Sequence, residues 1–252
     1  PKSSGTYFEP FLGGGALFFA YRPTKAVLSD SNSELIDTYS AVRDNPSGVL
    51  RYLKQLRPNK DEFYRIRRST YRLPERRAAK FIYLNRTCWN GLYRVNREGA
   101  FNVPFGYVEN RVVCDRDRIR AAAECLKGTR IRNADFEDAV SGARDGDCVY
   151  FDPPYTVAHD RNGFVRYNER IFSWDDQIRL ASLSQRLAKK GVRVLVSNAN
   201  HPTILELYPS FSRVTVQRRS DLAADATKRR LAKEVLLASF PLRLPTFDSG
   251  LE

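Results

Sequence analysis

Short apolar runs alternate with helix-like patterns at both ends of this chain, and the alternation breaks off in the middle. The runs Thr6–Phe11, Ala26–Leu28, Thr129–Ala134, Asp147–Phe151 and Val192–Val196 have strand length. Between them lie helical patterns: Ala16–Ala20, a helix capped by Asn32 or Ser33 with Leu35, Ile36, Tyr39 and Val42 on one face, Asp115–Leu126 stopped by Gly128, and Trp174–Lys190 stopped by Gly191. Strands that take turns with helices restrict the chain to an α/β fold with a mainly parallel, doubly wound sheet. After a short helix over Pro202–Tyr208, the last two strand patterns, Arg213–Gln217 and Glu234–Phe240, flank a polar, basic loop with no helix long enough for a crossover. They predict a terminal antiparallel hairpin.

The interruption spans about residues 50–113. Helical patterns persist over Val49–Leu56, Asp61–Thr70 and Pro74–Arg86, but they are dense in arginine and tyrosine. Asn85–Asn110 then loses helical periodicity, and Tyr93–Asn96 and Ala100–Val103 read as hairpin arms turning at Arg97-Glu98-Gly99. The expected organisation is a discontinuous domain, 1–49 with 114–248, carrying a small, mostly helical insertion with a β-hairpin at 50–113.

Forty-two Lys and Arg against 29 Asp and Glu leave a net charge of +13. A surplus of that size suggests a polyanionic partner, with general solubility as the alternative. Cys88, Cys114, Cys125 and Cys148 show no CxxC spacing, and His159 and His201 are the two histidines, so no metal site is expected. Cys148 reads as a core thiol. No apolar run is long enough to cross a bilayer and no secretory signal is recognisable, so no membrane association is expected and a reducing cytoplasm is the expected compartment. The chain has no methionine and opens abruptly at Pro1; natural N-terminal sequence is expected to be missing, and Leu251-Glu252 reads as a cloning scar.

Four constellations carry chemistry. EPFLGGG, Glu9 to Gly15, occupies the first strand-to-helix turn, where glycines let backbone approach a ligand; it is neither GxGxxG nor a phosphate-cradling P-loop, and a tight turn without a ligand is the alternative. Asp30 ends the second strand, where a carboxylate can receive two ribose hydroxyls or simply face a helix N-terminus. Asp135-Phe136 ends the third, an acid and a ring suited to an adenine edge and face, or a helix cap. In VYFDPPY, Val149 to Tyr155, two prolines stop the strand at Asp152 and hold a carboxylate beside an aromatic ring. In this order, each at a strand end, the four would line one edge of one sheet.

On these residues the chain resembles the Dam family of S-adenosylmethionine-dependent DNA adenine-N6 methyltransferases, a D12-class, alpha-group arrangement. The matching stretches are EPFLGGG, LSDSNSELI at 28–36, LNRTCWNGLYRVNREGAFNVPFG at 84–106, YFDPPY at 150–155, SNANH at 197–201 and RRS at 218–220. The resemblance implies a Rossmann-like methyltransferase sheet and a target-recognition domain at 50–113. It implies S-adenosylmethionine as methyl donor, with S-adenosylhomocysteine as product, bound by Glu9, Phe11, Gly13, Gly15, Asp30, Asp135 and Phe136. It implies a catalytic turn of Asp152, Pro153, Pro154 and Tyr155 acting without metal on an adenine flipped out of double-stranded DNA.

By the same resemblance, Trp89, Asn90, Leu92 and Arg94 enter the duplex, and Arg65, Arg67, Arg68, Arg72, Arg76 and Arg77 mainly meet phosphates; a core role for Trp89 and Leu92, and a solvated face for each arginine taken singly, are the alternatives. The loop Thr156–Ser173, with Phe164, Tyr167 and Phe172, would close over the base or pack on its own neighbours. Monomeric action in the cytoplasm of a bacterium, archaeon or phage host, near the nucleoid and with a possible nuclease partner, follows as expectation. GATC is a possible site. The family carries a KWAGGK-like segment upstream of the first strand that this sequence does not include, and Tyr107 follows NVPFG where a basic residue is usual. Transfer to RNA adenine, or a catalytically silent DNA-binding relative, are the competing readings.

Overall fold

The computed structural model describes residues 5–96, 99–107, 112–156, 172–219 and 231–242. Its strands are β1 (Tyr7–Glu9), β2 (Ala26–Asp30), β3 (Arg130–Asn133), β4 (Cys148–Phe151), β5 (Arg193–Ala199), β6 (Ser212–Arg219) and β7 (Leu231–Ala238). They form one seven-stranded sheet in the order β3-β2-β1-β4-β5-β7-β6. β1 pairs with β4 and β4 with β5 in parallel. β7 is antiparallel to both β5 and β6, so the closing hairpin tucks its second strand inside its first. The chain builds β1 to β3 outward on one side, then returns to place β4 on the other flank of β1. That reversal puts the carboxyl ends of β1 and β4 at a topological switch point, where open α/β sheets bind ligands.

The chain divides into two compact units, Pro1–Leu12 with Lys25–Val27 and Asp135–Glu252, and Gly13–Thr24 with Leu28–Ala134. In the first, period-2 alternation buries Val149 and Phe151, Val194 and Val196, Val235 and Leu237 at no more than 1% exposure, each pair on one sheet face. Fully burying each such side chain contributes about 1.5–3 kcal/mol. The long helix Trp174–Lys189 covers them with Leu180, Leu183 and Leu187 at helical spacing. Its start is fixed by a capping box, in which Ser173 and Asp176 each satisfy the other's backbone N–H. Asp147 staples the base of this sheet, its carboxylate accepting the N–H of Thr6 at 2.7 Å and of Arg144 at 2.9 Å.

The second unit is mainly helical: Ser33–Asp44, Pro46–Leu53, Lys60–Arg68, Pro74–Thr87 and Arg116–Leu126. Asn32, Asn59 and Asp115 cap three of these helices through their side chains. Val49, Leu53, Phe63, Ile66 and Tyr83 make its core, and the buried Tyr83 hydroxyl donates to the Arg57 carbonyl at 2.7 Å. Residues 50–113 lie wholly within this unit, which also takes in the helix Ala16–Tyr21 and β3.

Several sequence expectations shift. β1 is only Tyr7–Glu9, because Pro10 stops the ladder. The helix expected to reach Tyr208 ends at Glu206. Cys148 is half-buried rather than a core thiol. The expected hairpin at 93–103 contains one antiparallel bridge, Val95 to Phe101, together with Asn96 N–H to Ala100 O at 2.9 Å. Arg97 and Glu98 of its turn, most of the loop 156–173 and the basic loop between β6 and β7 lie outside the described residues.

Candidate active site

The parallel register Tyr7↔Cys148 and Phe8↔Val149 lays the EPF and DPP segments side by side at the switch point. Glu9 is buried at 2% exposure and accepts the Tyr7 hydroxyl at 2.7 Å. Phe11 sits in an aromatic cluster, stacked on Phe136 at 5.5 Å and edge-on to Phe151 and Phe172. Phe172 is 4% exposed, so the last ring of the expected closing loop is core.

Asp152 follows directly on β4 and is exposed, while Pro153 is buried behind it. The Tyr155 hydroxyl lies 2.6 Å from Ser197 Oγ on β5 and donates to Asp152 Oδ1 at 3.4 Å. Asp152 keeps a face open to solvent, yet the protein on its other side pushes its pKa up through partial loss of hydration; hydrogen bonds from Ser197, Tyr155 and Tyr150 oppose the rise and Glu234 adds to it. The result is a carboxylate held in a fixed direction at the tip of a rigid turn, able to accept a further hydrogen bond.

Asp135 and Phe136 have local tasks as well. Asp135 caps the short helix Phe136–Ala139 and pairs with Arg179 at 3.2 Å. The Arg179 guanidinium also lies 4.8 Å from the Phe136 ring centroid, and that ring is 5% exposed. A ligand therefore meets the half-exposed Asp135 carboxylate more readily than the packed face of Phe136.

In the second unit the glycine turn is open. Gly13 and Gly15 have φ of 44° and 64°, a left-handed geometry that favours glycine, and no atom lies within 4 Å of where a Cβ of Gly13 or Gly14 would stand. Asp30 receives the N–H of Gly13 at 3.0 Å on Oδ2 and that of Asn32 at 2.9 Å on Oδ1. Loss of hydration raises its pKa against those hydrogen bonds. Both oxygens are thereby aimed, with lone pairs left for donors from a ligand.

The Trp89–Gly91 turn is clamped by its backbone. Trp89 N–H donates to Pro104 O at 2.9 Å, Asn85 Nδ2 to Gly91 O at 2.9 Å, and Asn90 takes a left-handed φ of 51°. Gly106 fits against it because a Cβ there would stand 2.7 Å from both Cys88 O and Trp89 Cα. From this frame Trp89 is 41% exposed, Asn90 and Arg94 are exposed, and Leu92 is half-buried. Arg94 Nε donates to Asn102 Oδ1 at 2.8 Å, which orients the guanidinium. Of the six arginines, Arg65 and Arg77 are in ion pairs, Arg67 and Arg76 lie over Tyr64 and Tyr71, Arg68 is exposed at a helix end, and Arg72 is exposed in the turn between two helices. Among the described residues no cluster of His, Cys, Asp or Glu could hold a metal, and no helix is long and apolar enough to cross a membrane.

Sequence reasoning assigned no role to Ser197, Asn198 or Gln177. The buried amide of Gln177 donates to Pro154 O at 3.4 Å and accepts from Asn198 Nδ2 at 2.9 Å. Only the SNANH stretch hinted at the strand residues; Gln177, in a helix with polar neighbours, gave no signal.

The first unit carries an acid at the tip of a switch-point strand, and the second carries the glycine turn that follows the first strand in the chain; both features fit a methyltransferase-like α/β enzyme. The profile of the D12 class N6 adenine-specific DNA methyltransferases matches residues 1–222, and the chain belongs to that family. It is 39% identical over 250 residues to the type II methyltransferase M1.LlaDCHI of Lactococcus lactis subsp. cremoris, covering 95% of this chain and 88% of that one. It is 33% identical to the type II methyltransferase M.MjaIII of Methanocaldococcus jannaschii, over 88% of this chain and 84% of the relative. Identity to the DNA adenine methylase of Escherichia coli K12 is 30%, over 90% and 84%. The protein is an adenine-specific DNA methyltransferase.

Proposed function

We propose that this enzyme moves the methyl group of S-adenosylmethionine to N6 of an adenine extruded from duplex DNA. The observation that carries the reading is the Asp152 carboxylate, fixed at the tip of β4 beside Tyr155. The adenine amino group is a poor nucleophile because its lone pair is delocalised into the ring. Asp152 and the Pro153 carbonyl accept hydrogen bonds from its two N–H groups, which turns the nitrogen toward tetrahedral geometry and aims the lone pair. The Tyr155 ring stacks on the base while its hydroxyl stays tethered at the edge. The base reaches these groups only outside the helix.

S-adenosylmethionine supplies an electrophilic sulfonium methyl. The chain's residues suit it: open space over Gly13 and Gly14 admits a ligand against bare backbone, and the aimed oxygens of Asp30 suit ribose hydroxyls. Glu9, Phe11, Gly15, Asp135 and Phe136 complete the proposed cofactor set, with the acid of the Asp135–Phe136 pair as its ligand-facing member. Residues 50–113 act as the recognition region. Trp89 wedges between bases, Asn90 and Leu92 line the same insertion, and Arg94 reads a base edge. GATC is the proposed site; Tyr107, 87% exposed, stands where a basic contact would be usual and makes discrimination there the point to measure.

The test is incubation with methyl-labelled S-adenosylmethionine and, in separate reactions, mixed-sequence duplex DNA and RNA. Label entering DNA supports the reading. Label entering RNA alone assigns the chemistry to the other polymer, and DNA binding without transfer makes the protein a silent relative.

A further inference from the structure

We propose that Ser197 and Asn198, neighbours on β5, are positioning residues that grip the Asp152–Tyr155 turn from two sides, Asn198 acting through Gln177. The inference rests on the methyl-transfer reading above and extends it to residues that touch no substrate.

The turn has an unusual difficulty. Two successive prolines carry no N–H, so the middle of the turn, Pro153 and Pro154, offers only carbonyls to hold it in place. Proline also fixes φ, which leaves ψ, and hence each carbonyl's direction, as the soft coordinate. Side chains must supply the missing restraint. Successive side chains of a strand point to opposite faces, so adjacent residues of β5 can reach two different partners. Ser197, 4% exposed, holds the Tyr155 hydroxyl at 2.6 Å, and that hydroxyl reaches Asp152. Asn198, fully buried, donates to Gln177 Oε1 at 2.9 Å, and Gln177, fully buried on the long helix, donates to the Pro154 carbonyl at 3.4 Å. The Asn198 side-chain oxygen accepts the N–H of Ala199 at 2.8 Å.

Two buried amides are costly in an apolar core unless they are satisfied. Here they link a strand, a helix and one carbonyl of the turn. One arm sets the tilt of the Tyr155 ring and of the carboxylate, and the other sets the plane of the Pro154 peptide group. Small errors in such geometry are expensive to a reaction that depends on orientation.

The experiment uses enzyme in excess over plasmid DNA free of adenine methylation, with methyl-labelled S-adenosylmethionine. It reads the single-turnover rate, the separate affinities for cofactor and DNA, and the melting temperature. Ser197→Ala is expected to slow transfer about tenfold, the weight of one hydrogen bond, with both affinities within about twofold. Ser197→Thr, which keeps the hydroxyl, restores the rate. Gln177→Met, which keeps the volume, slows transfer by a similar factor when assayed well below its melting temperature. Wild-type rates in Ser197→Ala and Gln177→Met overturn the grip alone. So does a loss that Thr does not restore and that tracks melting temperature or cofactor affinity. No transfer to DNA by the wild type overturns the functional reading and the grip with it.

Discussion

The Asp152–Tyr155 turn and the Trp89–Arg94 segment are both tight pieces of chain, and they treat their side chains in opposite ways. At the turn the displayed side chain is itself tied, the Tyr155 hydroxyl to Ser197, and the Pro154 backbone carbonyl is held by Gln177 with Asn198 behind it. At the segment it is the backbone that is tied, to Pro104 and Asn85, while Trp89, Asn90 and Arg94 stand exposed. The first arrangement suits chemistry, which needs an acceptor held in one direction. The second suits reading, which needs side chains projecting from a frame that does not give. Substitutions in the two regions should therefore fail differently.

The largest effect belongs to Asp152→Ala. Removing the fixed acceptor should lower single-turnover transfer by about 10³-fold, toward the upper end for loss of one preorganised polar group. DNA affinity, measured by fluorescence anisotropy, should change by less than about twofold. An equal loss of both would erase the distinction between the regions.

The mirror experiment is Arg94→Ala. It should reduce discrimination at one base pair by about tenfold, as expected for a lost bidentate contact, while cofactor affinity stays constant. Competition binding against single-base variants of the preferred duplex provides the check. A uniform loss across all sequences would make Arg94 a phosphate contact instead.

Gly106→Ala tests whether the frame matters as much as the displayed side chains. A new Cβ would stand 2.7 Å from the Cys88 carbonyl oxygen and from Trp89 Cα, so the turn must shift. DNA affinity should fall roughly threefold to tenfold with little change in cofactor binding, as expected when one interface side chain is shifted rather than removed. Retained affinity would show that Trp89 tolerates a moving base.

The smallest effect is on stability, and its sign is informative. The folded-state pKa of Asp152 is raised, chiefly by loss of hydration. Such a carboxylate favours folding while protonated, and that contribution is full below its unfolded pKa and lost as pH rises through the folded one. Asp152→Asn should accordingly raise the melting temperature slightly at neutral pH, the effect being small for an exposed carboxylate, with the gain shrinking as pH falls into the carboxyl range. In the unsubstituted enzyme the acid limb of the transfer rate should lie above the usual aspartate range, because the acceptor role needs the ionised form. A melting gain that persists into acid would place its origin elsewhere.

Much of this was readable in the sequence, for identifiable reasons. Proline pairs and caps act locally, so the stop at Asp152 and a helix start at Asn32 or Ser33 needed no knowledge of the fold; the structure makes Asn32 the cap, and makes Asp115 a cap rather than the first helical residue. The closing hairpin was legible from the lack of a crossover, and the structure adds that β7 lies beside β5. What escaped was non-local. Gln177 looks like one more polar helix residue until folding brings it against residues about twenty positions away on either side. β5 runs on through Ser197, Asn198 and Ala199, past the apolar run, because tertiary partners satisfy the polar side chains. The packing of Phe11, Phe172 and Arg179 around Phe136 is non-local too, and the place of that ring after an acid gives no sign of it.

The most direct test of the central claim is where the methyl group lands. Duplex DNA treated with the enzyme and S-adenosylmethionine is digested to nucleosides and resolved by mass spectrometry. The expected product is N6-methyl-2′-deoxyadenosine, formed about 10³-fold more slowly when Asp152→Ala replaces the enzyme. A methyl group on cytosine, or N6-methyladenine formed equally well by Asp152→Ala, would contradict it.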